Sequence, residues 1–405
     1  MKRILDLTLG IVTSIGGFLE AGSIITAVQA GAVFGYKLLW TIALGTLGLM
    51  LLVEQSGRLA AVTGRTVGDA LRERFGINFF IIPLVTGLLV SFLVLASEIG
   101  GVSLALQMAT GISFQWWAMP VAFAGWFLLW KGNFGVVEKG SSLLGLVTIV
   151  FIVAALKLHP DWGRVGAGLL PTSPDHDGPR YWYLAVSIIG ASISPYLYMF
   201  YSSGAVEDGW GTDDLSTNKA TAVIGMSFGG VLSAAVLIIA ALVFLPRGIQ
   251  VDRYEQAGLL LPPVLGHTGF VLFLASLGIA CFGATTEITL AMAYLLAQGL
   301  GWDWSENAKP KQNARFSLMY TVTILLAGVV MAVGIDPLKL TNFSMMLTAA
   351  SLPVTVIPMF VLMNDEALVG EHRNRWFSNA ALGALSIVTI VVLLSAVPLQ
   401  ILGGS

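Results

Sequence analysis

Long apolar stretches separated by short polar segments run through the whole of this 405-residue sequence. Eleven are long enough to cross about 30 Å of hydrocarbon as helices: residues 7–33, 36–57, 79–108, 115–131, 137–158, 182–204, 218–245, 268–298, 314–334, 338–363 and 377–401. Only two connections are long. Residues 159–181, with His159-Pro160-Asp161 and Pro174-Asp175-His176-Asp177-Gly178-Pro179, read as a loop between two five-helix blocks. Residues 56–76 are basic and amphipathic, and are expected to link the second and third spans as a solvated loop. The pattern predicts an all-α polytopic membrane protein with one transmembrane domain. Its first block covers about 7–158, its second about 182–363, and an eleventh helix about 377–401.

Two spans are interrupted at matching places. In the first, Glu20-Ala21-Gly22-Ser23 puts a carboxylate, a glycine and a hydroxyl inside an apolar helix. In the sixth, Ser192-Ile193-Ser194-Pro195-Tyr196 does the same with hydroxyls and a proline that has no backbone donor. Non-helical backbone at mid-membrane depth is tolerated only where it is buried in protein or lines a cavity. Interrupted helices at corresponding positions of two halves point to a transporter site built by inverted repeats. The plainer alternatives are a kinked helix carrying a protonated Glu20 and a packing kink at Pro195.

Composition narrows the class. Hydrophobic residues make up 56% of the chain and charged ones only 11%, against about 25% in soluble proteins. The N-terminal Lys2 and Arg3 lead into a hydrophobic span with no cleavage-site pattern, so the first helix is expected to remain in the mature protein. Loop Lys and Arg divide fourteen to seven in favour of the N-terminal side; this places the N-terminus in the cytoplasm, in what we expect to be a bacterial inner membrane. A net charge of −2 with no basic patch excludes a nucleic-acid role. His159, His176, His267 and His372 are scattered, and no nucleophile is paired with a base, so an enzyme is not expected. The lone Cys281 reads as core packing.

Three acids, Glu20, Glu98 and Glu287, fall inside apolar spans with no Lys, Arg or His at comparable depth. Either they are protonated at rest or a cation visits them. Glu287 has Thr285, Thr286 and Thr289 beside it, and Glu20 has Ser23. Such hard oxygens suit Na⁺, Mg²⁺, Ca²⁺ or a proton. For Glu98 a hydrogen-bonded packing role stands equally open.

These residues resemble the NRAMP family of divalent-metal transporters over nearly the whole chain. The resemblance is carried by Val28-Gln29-Ala30-Gly31-Ala32 with Phe34-Gly35-Tyr36-Lys37-Leu38-Leu39-Trp40, and by Arg58-Leu59-Ala60-Ala61-Val62-Thr63-Gly64 continuing to Arg72-Glu73-Arg74-Phe75-Gly76. It implies a LeuT-type fold, two inverted repeats of five helices with helices one and six broken. The metal motifs depart from the family. Asp-Pro-Gly-Asn of helix one becomes Glu20-Ala21-Gly22-Ser23, and Met-Pro-His of helix six becomes Ser194-Pro195-Tyr196. A second helix-six histidine falls on Tyr201; the helix-three acid pair keeps Glu98 but has Leu95 for its aspartate. Glu287 stands where the family usually has a small hydroxyl residue in helix eight.

The expectation is a secondary transporter of a small inorganic ion, working without cofactor as a monomer. Exposed half-helix N-termini favour a small anion, which the carboxylates would repel unless a cation lay between. The first expectation is therefore a sodium-coupled oxyanion such as bicarbonate, a substrate associated with divergent branches of the resembled family. It would be held by Glu20, Gly22, Ser23, Ser192, Ser194 and Tyr196, with Na⁺ at Glu20, Ser23, Thr285, Thr286 and Glu287, and Glu98 and Tyr201 on an ion or proton path. The alternative is a divalent metal cation, Mg²⁺ or Mn²⁺, although loss of the thioether at Ser194 speaks against soft-metal selectivity. A non-transporting membrane sensor is the remaining reading, and no signalling domain is seen before Gly403-Gly404-Ser405.

Overall fold

The computed structural model describes residues 19–131, 145–305 and 308–403. The start of the first span and residues 137–144 of the fifth lie outside this set. Among the described residues every regular element is helical. In order they are α1 (Ala21–Phe34), α2 (Leu39–Thr63), α3 (Val67–Phe75), α4 (Ile77–Thr110), α5 (Phe114–Lys131), α6 (Ile149–Lys157), α7 (Gly178–Ser192), α8 (Pro195–Glu207), α9 (Leu215–Val243), α10 (Pro262–Leu300), α11 (Ala314–Ala332), α12 (Pro337–Leu362) and α13 (Trp376–Gly403), with short turns between.

The helices persist through Ser- and Thr-rich sequence because the hydroxyls bond back to their own helix. Thr26 donates to Gly22 O and Ser103 to Ile99 O, each at 2.7 Å, so a buried hydroxyl leaves no orphan donor. Glycines in the left-handed region stop α2, α4 and α10, at Gly64, Gly111 and Gly301.

Burial sorts the helices. All of α1 except Val33 is buried, and 94% of the apolar stretch across α7 and α8 is buried, against 28% in α13. The interrupted helices thus form the centre, and α13 is peripheral. Around them α1 packs along α9, α4 along α10 and α12 against α13.

Both expected interruptions exist as non-helical backbone. Glu20 is extended (φ −115°, ψ 175°), and α1 begins at the next residue. Ile193 (φ −110°, ψ 80°) and Ser194 (φ −85°, ψ 115°) separate α7 from α8. Pro195 is the first residue of α8, where its missing N–H costs nothing.

Residues 56–76 differ from the expected loop. The helix of α2 runs on to Thr63 with Ser56 and Gly57 buried, and α3 follows. The Ser56 hydroxyl is satisfied on Val53 O, and a Cβ at Gly57 would lie 2.0 Å from Asn218 Oδ1, so this turn of helix is packed rather than solvated. Arg58 likewise reaches Asn374 Oδ1 at 2.6 Å and His372 O at 2.7 Å. The loop at 159–181 also holds a short helix, Trp162–Ala167, and its end belongs to α7.

Candidate functional site

The site is built on the exposed N-terminus of α1. A helix start leaves backbone N–H groups without intrahelical partners. Here Glu20 N–H donates to Ser23 Oγ at 2.9 Å, and Ala21 N–H donates to both oxygens of Glu98, each at 3.1 Å. Glu98 is wholly buried on α4, and its carboxyl oxygens meet a donor that the helix start leaves without an intrahelical partner. The Cys281 thiol of α10 sits beside the same carboxyl.

The start of α8 meets this end directly. The Tyr196 hydroxyl donates to Glu20 Oε2 at 2.7 Å, and Ser194 lies beside the same carboxyl. Glu20 is 1% exposed, yet its Oε1 has no hydrogen-bond partner among the described residues. Glu20, Glu98 and Glu287 all lie within electrostatic range of the Tyr196 hydroxyl. Thus the sequence-predicted Glu20, Ser23, Glu98, Ser194, Tyr196 and Glu287 come together around the two breaks.

Gly22 is fixed by a close approach. A Cβ there would fall 2.3 Å from Met345 Sδ of α12. At Gly190 of α7 a Cβ would fall 2.2 Å from Met345 O. Met345, wholly buried, is therefore wedged between α1 and α7.

Other predicted residues are placed differently. Thr285 and Thr286 lie on α10 with Glu287, their hydroxyls donating to Cys281 O and Gly283 O at 2.8 Å each, so only their lone pairs remain for an ion. Ser192 packs on Gly45 of α2. Tyr201 donates to Asn218 Oδ1 at 3.1 Å, and Asn218 in turn donates to Glu54 O, tying α8 to α9 and α2.

Sequence reasoning missed three participants. Tyr254 Oη reaches Ala21 O at 3.3 Å, Met345 supplies the wedge, and α12 contributes a row of hydroxyls. Thr341, Ser344, Thr348, Ser351 and Thr355 recur at alternating intervals of three and four, the signature of one helix face. Thr341 pairs with Ser97 of α4 at 2.6 Å. Thr348, Ser351 and Thr355 line, with Ser91, Ser194 and Tyr196, a cavity of about 10 Å³, enough for one water. The legible signal was this periodicity; nothing in the sequence marks Tyr254.

Among the described residues no three His, Cys, Asp or Glu side chains converge as a metal cage. A cation at the breaks would take one or two carboxylates and complete its shell with hydroxyls, carbonyls and water.

A family model described as natural resistance-associated macrophage protein-like matches residues 10–397. The divalent metal cation transporter MntH of Aeromonas hydrophila is 28% identical over 400 residues, covering 94% of this chain and 92% of that protein. MntH of Deinococcus radiodurans is 25% identical over 415 residues, covering 100% and 92%. Among solved structures, the manganese transporter of Eremococcus coleocola superposes with a TM-score of 0.79 at 19% identity, over 98% of this chain and 87% of that one. Mhp1, a nucleobase-cation-symport-1 family transporter, superposes with a TM-score of 0.60 at 16% identity, over 97% and 91%. The fold is the LeuT type that the family resemblance implied, and the chain belongs to the NRAMP family of membrane transporters.

Proposed function

We propose that the chain transports a hard divalent cation, Mg²⁺ or Mn²⁺, with Glu20 as the charged ligand at the junction of α1 and α8. The observation that carries this is Glu20 itself. Tyr196 fixes one carboxylate oxygen while the other is buried and unpartnered, and a buried acceptor left unmatched is costly unless something visits it. Ser194, Tyr196 and Ser23 add further hard oxygens, which suit Mg²⁺ and Mn²⁺ alike. The relatives named divalent metal cation transporters support the same class.

A sodium-coupled oxyanion such as bicarbonate is the weaker reading. The Ala21 amide at the head of α1 is already given to Glu98, and the Tyr196 hydroxyl is given to Glu20. An arriving anion would face two buried acids instead of free donors. We assign the coupling role to Glu98 and Glu287, which exchange a proton or Na⁺ as the divalent cation enters and leaves, with Thr285 and Thr286 offering lone pairs to Na⁺.

Calorimetric titration of the detergent-purified protein with Mg²⁺, Mn²⁺ and bicarbonate tests this. Divalent binding that is lost in Glu20→Gln is expected. Bicarbonate binding in the absence of any divalent binding overturns the proposal.

A further inference from the structure

We propose that the cavity between α2, the start of α9 and the start of α13 is a binding site for one anionic phospholipid. The cavity measures about 680 Å³, within the range of pockets that hold a single organic ligand. Its walls are apolar: α2 gives Leu44, Leu47 and Leu51, and α13 gives Ala381, Ala384 and Leu385. Both helices belong to stretches long and apolar enough to cross a membrane, so an acyl chain is the natural occupant.

The mouth of the cavity is cationic. Arg58, Lys219, His372, Arg373 and Arg375 line it, against Glu54 and Glu371. Three of the five are engaged. Arg58 pairs with Glu54 at 3.0 Å, Arg373 with Glu366 at 2.9 Å, and His372 lies 3.8 Å from Glu371. Lys219 and Arg375 are exposed and make no ion pair among the described residues. Beside them Trp376 and Phe377 are 80% and 72% exposed, the aromatic pattern of a membrane–water boundary. Two free cations above an apolar slot fit a phosphate headgroup carrying net negative charge on a diacyl tail. A zwitterionic lipid brings its own ammonium to the same cations and gains little; a water-soluble phosphate leaves the apolar walls bare.

The slot also touches the transport machinery. Gly48 lines it, and a Cβ at Gly48 would lie 2.9 Å from Ile193 Cδ1 and 3.1 Å from Leu385 Cδ1. Its back wall is therefore one side chain from the break between α7 and α8, and the lipid braces that break from behind.

The test is native mass spectrometry of protein extracted from vesicles of equal parts phosphatidylglycerol and phosphatidylcholine, with glycerol 3-phosphate titrated separately. Retention of one phosphatidylglycerol in preference to phosphatidylcholine is expected, with no response to glycerol 3-phosphate. A surface cation near an anionic headgroup contributes about fivefold in affinity, so Lys219→Gln with Arg375→Gln should cut the preference by about twenty-five-fold. Ala384→Phe, which fills the slot, should reduce retention of phosphatidylglycerol. Equal retention of the two lipids, an unchanged preference in the double variant, unchanged retention in Ala384→Phe, or binding of glycerol 3-phosphate at comparable affinity overturns the proposal.

Discussion

The hydroxyl of Tyr196 donates a 2.7 Å hydrogen bond to Oε2 of Glu20, joining two helix starts that are 176 positions apart in sequence. This bond aims the free oxygen of the carboxylate and carries the alignment of α1 with α8. In Tyr196→Phe the ring volume is kept and the donor lost. A hydrogen bond to a charged group is worth about 1.5–3 kcal/mol, so the Kd for the divalent cation should rise about tenfold or more while the protein still folds. An unchanged Kd by calorimetry would show that Tyr196 does not position Glu20.

Glu98 caps the head of α1 through both carboxylate oxygens. Glu98→Gln keeps one acceptor and loses the other, and should lower stability by about 0.5–1.5 kcal/mol. Glu98→Leu also leaves the Ala21 N–H unmatched in a dry interior and should cost more, by a further 1–3 kcal/mol or about that. Thermal unfolding in detergent ranks the two. Equal midpoints for wild type and Glu98→Leu would remove the capping role.

Met345 is held between two glycines, and only one contact can yield. At Gly22 the obstacle is the thioether end of a side chain, whereas at Gly190 it is the backbone carbonyl of Met345. Gly190→Ala should therefore destabilise by about 1–3 kcal/mol through overpacking, and pairing it with Met345→Ala should restore little. Full rescue by the second change would place the clash on the side chain instead.

How far the sequence carried depends on the residue. The interruptions at Glu20 and Pro195 were legible because a carboxylate and a proline cannot sit in an apolar helix without consequence, and both are non-helical boundaries in the fold. The burial of Ser56 and Gly57 was not legible, since a basic amphipathic segment reads as surface until Asn218 of α9 is brought onto it. Glu98 as the cap of α1 depends on a contact across 77 positions, and no local pattern encodes its partner. That contact also takes up the Ala21 amide at the first break.

The loop at 159–181 carries a pH-sensitive tie. The hydrogen bond from Lys37, and then its positive charge, hold the exposed Asp175 carboxyl below its ordinary value of 3.8. A depressed carboxylate stabilises above its unfolded value and loses that contribution as pH falls through the folded one. Amide exchange around Asp175, corrected for intrinsic rate, should stay level from neutral pH down to about 4 and accelerate below it. In Lys37→Gln it should be faster already at neutral pH. A level profile in both proteins would show that the pair does not restrain the loop.

The proposed role of Glu20 is to receive a divalent cation at the meeting of the two broken helices. Its most direct test is flux into proteoliposomes carrying an internal Mg²⁺ or Mn²⁺ dye, with parallel vesicles carrying a pH dye and supplied with bicarbonate and a sodium gradient. Divalent uptake by the wild-type protein, its loss in Glu20→Gln, and no bicarbonate-driven alkalinisation are expected. Sodium-dependent alkalinisation by bicarbonate with no divalent uptake would contradict it.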